Sequence, residues 1–143
     1  MTDDVSIPAL LRAARGAYAR SIKDGLAAEG FADVPRNGPF LLGGMANRDG
    51  TAAELISGLD VTRQAASQLI DTLVLRGYLT REVNPDDRRR ITITLTDRGR
   101  AAGEAIGSSI RAVDSRLAER LTGAELAGLR AGLTALADLK AAG

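Results

Sequence analysis

The chain has 143 residues, 45% of them hydrophobic and only 3% aromatic, with a formal net charge of +1. That length suits one ordinary domain, whose core has to be assembled from Leu, Ile, Val and Ala. Cys and His are both absent, which excludes disulfides, thiolate chemistry and the usual zinc sites, since carboxylates alone are poor zinc ligands; neither a metal nor a cofactor is expected.

Positive charge is almost entirely arginine, the only lysines being Lys23 and Lys140. Arginine forks suit phosphates and guanine edges, although a GC-rich genome would produce the same bias. With a net charge near zero, a case for nucleic acid must rest on local clustering. There is no apolar run long enough for a membrane span, and the opening MTDDVSIPAL is acidic where a signal peptide is basic. The expectation is a soluble, cytoplasmic bacterial protein with no membrane partner.

In chain order, residues 5–29 read as a long helix capped by Ser6, with Pro8 in its first turn and Gly30 at its end. Its apolar positions, Ile7, Leu10, Leu11, Ala14, Tyr18, Ile22 and Leu26, recur at three- and four-residue steps. Residues 31–50 are rich in Gly and Pro; a short helix from about Pro39 to Ala46, capped by Asn37 or Gly38, would turn Phe40, Leu41 and Met45 inward. The pair Gly43-Gly44 lacks phosphate-loop spacing and reads as close helix packing.

Thr51-Ala52-Ala53-Glu54 is a capping box that opens a helix with Leu55, Ile56 and Leu59 facing the core. Gly58 to Asp60 forms a tight turn, and Asp tolerates the left-handed conformation needed there. Thr62 caps a second helix to about Arg76, with Ala65, Ala66, Leu69, Ile70 and Leu73 as its buried face and Gly77 as its stop. Strands follow over 78–83 and 91–95, the second alternating strictly, joined by the loop NPDDRRR. Thr96 caps a helix to about Leu121, striped by Ile106, Ile110, Val113, Leu117 and Leu121. A second capping box, Thr122 to Glu125, opens a last helix carrying Leu126, Leu129, Leu133, Leu136 and Leu139 at near-heptad spacing. The stripes of the first helix and the last two exceed what a small winged domain needs, so a homodimer interface is their natural use; packing within one chain is the alternative. The fold class expected is mainly α with a small β-hairpin wing.

Helical geometry places Arg63, Gln64, Ser67, Gln68 and Asp71 opposite Leu69 and Leu73. Glutamine pairs with adenine and arginine with guanine in the major groove, and the N-terminal half of such a helix reaches base edges. Thr62, Arg63, Gln64, Ser67 and Gln68 are therefore candidate DNA contacts, ahead of Asp71, whose charge would repel phosphates. In the loop, Arg88, Arg89 and Arg90 sit near the tip of a ribbon, where arginine can enter a narrow minor groove. Asp86 or Asp87 would aim one of them through a forked ion pair.

Thr51-x-x-Glu54-Leu55, Val61-Thr62-Arg63-Gln64, Arg76-Gly77-Tyr78-Leu79, Asp87-x-Arg89 and Leu95-Thr96-x-x-Gly99 together resemble the winged helix-turn-helix of the MarR family of bacterial transcription regulators. The resemblance is close over about a third of the chain. The departures are Asp60, where that family usually has Gly, and the Gly- and Pro-rich second helix.

The resemblance implies a homodimer joined by its first and last helices, with Arg89 in the minor groove, Asp87 as its orienting partner, and Arg88 and Arg90 on phosphates. It implies a single domain over 1–143, with the winged region at 31–99 and the dimerisation helices at 5–30 and 100–143. The function expected is a sequence-specific regulator, more often a repressor in this family, acting as a dimer on an inverted repeat in double-stranded DNA. Many relatives release DNA on binding a small aromatic or anionic ligand, and Arg15, Tyr18, Phe40 and Met45 are the candidates to line its cleft. The alternative function is a winged-helix protein-interaction module without specific DNA binding. An enzyme would need a carboxylate or lysine cluster, and the acidic residues are scattered over helix starts and surfaces; no enzymatic activity is expected.

Overall fold

A computed structural model describes residues 4–143; the first three residues of the acidic N-terminal segment lie outside the described part. The order is α1 (Ile7–Ala28), α2 (Gly38–Ala46), α3 (Ala52–Ser57), α4 (Arg63–Leu75), β1 (Leu79–Asn84), β2 (Asp87–Leu95), α5 (Asp97–Arg120) and α6 (Gly123–Ala142). This is the mainly helical architecture with a two-stranded antiparallel wing that the sequence predicts. The chain divides into two compact units, one running to Ile110 and the other Arg111–Gly143. No helix among the described residues is long and apolar enough to cross a membrane.

The first unit closes around Leu26 of α1, Leu41 and Leu42 of α2, Ala52 of α3, Leu69, Ile70 and Leu73 of α4, Tyr78 and Leu79, and Ala102 and Ile106 of α5. The helix starts are built as their sequences dictate. Ser6 accepts the Ala9 amide, Thr62 accepts the Ala65 amide, and Thr51 and Glu54 complete a reciprocal capping box. Hydrogen bonding to Thr51 holds the Glu54 carboxyl below its ordinary pKa, and Thr122 does the same for Glu125 in the second unit. Asp60 takes a left-handed φ of 36° in the turn between α3 and α4, as expected there.

One of the two expected caps is selected, and three expectations are corrected. Asn37 stands at the cap of α2 but makes no side-chain cap bond, its backbone being left-handed at φ 67°. Phe40 is 49% exposed, and Leu42 takes the inward position beside Leu41. Ala65 lies on the exposed side of α4. Finally, β2 begins at Asp87, so the three arginines belong to the strand rather than to an open loop. The Gly43-Gly44 reading holds: an added Cβ would press on Ile106 from Gly43 and on Leu55 from Gly44.

The join between α4, the wing and α5 is the tightest part of the unit. Gly77, at φ 83°, ends α4 with its amide on Val74 O and the Tyr78 amide on Leu73 O, a paired termination that needs a left-handed residue. Thr96 donates its amide to Tyr78 O (3.1 Å) and its hydroxyl to Gly77 O (2.5 Å), while its oxygen accepts the Gly99 amide (3.0 Å). α5 therefore starts directly against the end of α4. At Gly99 an added Cβ would overlap the Tyr78 carbonyl oxygen, so only glycine allows this approach.

The Tyr78 side chain, fully buried, donates its hydroxyl to Asp33 in the α1–α2 connection. Arg98 spans both: its Nη2 reaches Asp33 Oδ1 (3.1 Å) and Tyr78 Oη (3.0 Å), and its Nε reaches Arg76 O (3.2 Å). Its guanidinium lies over the rings of Tyr78 (4.5 Å) and Phe31 (5.2 Å). The Tyr78 hydrogen bond, opposed by desolvation and assisted by Arg98, holds the Asp33 carboxyl below its ordinary pKa. Desolvation, followed by the bond to Asp33, pushes the Tyr78 hydroxyl up to about 12.

In the second unit, Val113, Leu117, Leu121 and Leu126 are half-buried. α6 has no buried residue, and Leu129, Leu133 and Leu136 stay 41%, 42% and 41% exposed.

Two outcomes follow from the join. Gly99→Ala should lower stability by about 2 kcal/mol, since the clash is with backbone that cannot move aside; urea denaturation of the variant beside wild type measures this. For pH, the Tyr78 pKa is raised on folding, so its stabilisation is complete below pH 10 and is lost as pH climbs towards about 12. Asp33, Glu54 and Glu125 are depressed from 3.8, 4.5 and 4.5, so their contributions are present above those values and are lost as pH falls. Melting profiles against pH should show both limbs, and Tyr78→Phe should flatten the alkaline one.

Candidate nucleic-acid interface

α4 turns Leu69, Ile70 and Leu73 into the core, and this fixes what it shows outside. Arg63, Gln64, Ser67, Gln68 and Asp71 form one exposed strip along its opposite side. Thr62 sits at the head of that strip, its hydroxyl oxygen occupied by the Ala65 amide at 3.0 Å. Arg63, Gln64, Ser67 and Gln68 thus lie together on a rigid helix anchored at both ends, with amide, hydroxyl and guanidinium groups directed to solvent. Such a strip can present paired donors and acceptors to a surface as wide as a major groove.

The wing departs from a simple hairpin at its tip. The register runs from Leu79 opposite Leu95 to Val83 opposite Ile91, then shifts so that Asn84 faces Asp87. Pro85 and Asp86 make the turn, tightened by the Asp86 amide on the Asn84 side chain at 2.9 Å. Arg88, Arg89 and Arg90 then have no counterpart between Val83 and Asn84 and are extruded as a bulge. Three consecutive guanidinium groups leave the ribbon at one place, and all three residues are exposed.

Asp87 accepts the amide of Arg89 at 3.1 Å, whereas the two side chains approach only to 3.9 Å and Arg89 is 97% exposed. The forked ion pair expected between an aspartate and an arginine is therefore not formed. The carboxylate is committed to the backbone two residues on, and it shapes the bulge rather than gripping the guanidinium.

Two features were not legible from residue spacing. Asp71 pairs with Arg81 of β1, bridging the exposed strip of α4 to the base of the wing. The contact crosses ten residues of sequence and belongs to no local pattern. The second is the cluster of Asp33 with Tyr78, Arg76 and Arg98, in which a polar residue of an irregular connection joins three elements.

A cavity of about 360 Å³ opens between α1 and the 31–40 segment. Arg15 and Phe40 line it, but Tyr18 and Met45 do not. Tyr18 is turned about 90° around α1 from the centre of the lining set, and Met45 packs against the hydrophobic core. Lys23 and Arg36 join Arg15 there, above an apolar lining that includes Ile22, Leu26 and Phe31. Arg36 was missed because its segment has no periodicity. No group of side chains among the described residues is arranged to hold a metal.

Residues 40–90, from α2 to the arginine bulge, match the model of the MarR family. No curated protein matches the chain. Solved structures similar to it include the Staphylococcus aureus MepR–DNA complex, at 23% identity and TM-score 0.76, covering 94% of this chain and 98% of that one. A MarR family transcription regulator is similar at 26% identity and TM-score 0.74, over 94% of this chain and 85% of that one. S. aureus MepR bound to ethidium bromide is similar at 24% identity and TM-score 0.56, over 95% and 97%. The winged segment therefore matches the MarR family model, and the fold of nearly the whole chain is shared with these solved structures.

Proposed function

We propose that the protein is a sequence-specific DNA-binding repressor that acts as a homodimer on an inverted-repeat operator. The observation that carries this reading is the pairing, in one unit, of the exposed strip Arg63, Gln64, Ser67 and Gln68 with the extruded arginines of the wing. The strip enters the major groove and reads base edges; Arg89 enters the adjacent minor groove; Arg88 and Arg90 hold phosphates. Asp87 keeps the role of orienting Arg89 by setting the bulge through its amide. The similarity to a MepR–DNA complex supports the same use of the fold.

One winged unit reads a half-site, so the second copy has to be set at a fixed spacing. Leu129, Leu133, Leu136 and Leu139 of α6, and Val5, Ile7 and Leu10 at the start of α1, are large apolar side chains exposed in the single chain. Covering them against a second copy supports the dimer. Two recognition helices would then enter grooves about 34 Å apart.

The cavity supports a ligand-responsive reading. Its guanidinium and ammonium groups over an apolar lining suit a small anion with an aromatic body. MepR has been solved with ethidium, a cation; the charge of Arg15, Lys23 and Arg36 favours the opposite sign here.

Titration with the DNA directly upstream of its own gene, at two salt concentrations, tests the first reading. Affinity should fall steeply with salt. Arg89→Ala should bind about tenfold more weakly, about 1.4 kcal/mol, with a shallower salt slope; equal binding by variant and wild type would remove the wing from the mechanism. Light scattering at micromolar concentration should give twice the 14.9 kDa chain mass, and a monomer would sink the dimer. For the cavity, anilinonaphthalene sulfonate should gain fluorescence with wild type and lose most of that gain with Arg36→Glu. Tighter binding of ethidium than of the sulfonate would reverse the charge argument.

A further inference from the structure

Asp71 is the unexpected residue of the reading strip. It lies three and four positions beyond Gln68 and Ser67 on the same exposed side of α4, and a carboxylate there faces the phosphates that the strip is proposed to meet. Its partner is Arg81 of β1, the side chains being 63% and 40% exposed. Arg81 shares a face of the ribbon with Leu79, Ile93 and Leu95, which anchor the ribbon's base to the core. The next pair outward on that face, Val83 and Ile91, is 54% and 56% exposed. The Asp71–Arg81 pair is therefore the outermost tie of the wing to the unit among the contacts described. From Arg81 to the arginine bulge the ribbon projects as a lever of about 13 Å, at about 3.3 Å per residue. A rotation of about 10° at its base would carry the tip about 2 Å, a large fraction of a minor groove about 6 Å wide.

We propose that Asp71 and Arg81 are a positioning pair that sets the angle of the wing against the recognition helix, so that major-groove and minor-groove contacts fall on DNA in one register. Resting on the DNA-binding reading above, this assigns Asp71 a role opposite in sign to its charge. A lone carboxylate on the strip weakens binding to any DNA; the brace strengthens binding where both grooves must be engaged together. The same pairing cancels the Asp71 charge and takes Arg81 out of the set of phosphate contacts.

The sign decides between the two roles. Asp71→Asn, Arg81→Gln and the double variant would be titrated against the upstream promoter duplex and a scrambled duplex of equal length. Hydroxyl-radical footprinting would report minor-groove protection, and melting curves would verify the fold. The brace predicts that Asp71→Asn weakens promoter binding about three- to fivefold, the scale of an exposed ion pair, while scrambled DNA binds as well as before or better. It predicts a similar promoter loss for Arg81→Gln, a double variant no worse than either single one, and fading of wing protection in all three. Tighter promoter binding by Asp71→Asn, additive losses in the double variant, or unchanged wing protection would each overturn the proposal while leaving the DNA-binding reading intact. A wild-type protein that does not distinguish promoter from scrambled DNA would overturn both.

Discussion

The contact on which the winged unit depends is the approach of α5 to the end of α4 at Gly99 and Tyr78. There Thr96 satisfies one amide and one carbonyl with a single side chain and donates its own amide to Tyr78. This leaves little room for variation: the hydroxyl must both donate and accept, and the residue three positions on can have no side chain. In return, the last turn of α4, both strands and the start of α5 meet within a few residues. The unpaired groups that end one helix are satisfied by those that begin another. The exposed strip of α4 is held at its start by the Thr62 cap and at its end by this join.

Tyr78 extends this join towards the cavity. Its hydroxyl and Arg98 take hold of Asp33, whose neighbours Ala32 and Val34 line the opening below. The α1–α2 connection therefore has two sides, one facing the cavity and the other tied to the end of α4.

Charge on this protein is a matter of place rather than amount. A chain of net charge +1 presents three guanidinium groups at one bulge because the ribbon register leaves them no partners across the strand. The nearby aspartates have partners of their own. Asp87 is occupied by a backbone amide, and Asp71 is matched by Arg81 at the base of the wing. The acidic residues near the basic surface thus bond a backbone amide and a neighbouring arginine.

Much of the fold could be read without coordinates, because the signals are local. Capping boxes at Thr51 and Thr122, the cap at Thr62, the left-handed stop at Gly77 and the alternation of residues 91–95 are each settled within a few residues of chain. The exposed strip from Arg63 to Gln68 followed from the buried one by helical geometry alone. What went astray lay where local chemistry leaves a choice. Phe40 and Leu42 exchanged inward and outward places on a helix too short and too uniformly apolar to show a period. Seven residues counted as a loop became a two-residue turn and a bulge, because strand register depends on the partner strand.

The sequence by itself determined the helices, their caps, the polar strip and the presence of an arginine cluster near a hairpin, since these rest on interactions between residues a turn or less apart. Only the tertiary structure decided that Asp71 pairs with Arg81, that Asp33 joins Tyr78 and Arg98, and that the cavity takes Lys23 and Arg36 in place of Tyr18 and Met45. Those pairings span from ten to sixty-five residues of chain, and no spacing rule can select among partners that come together only after the core has closed.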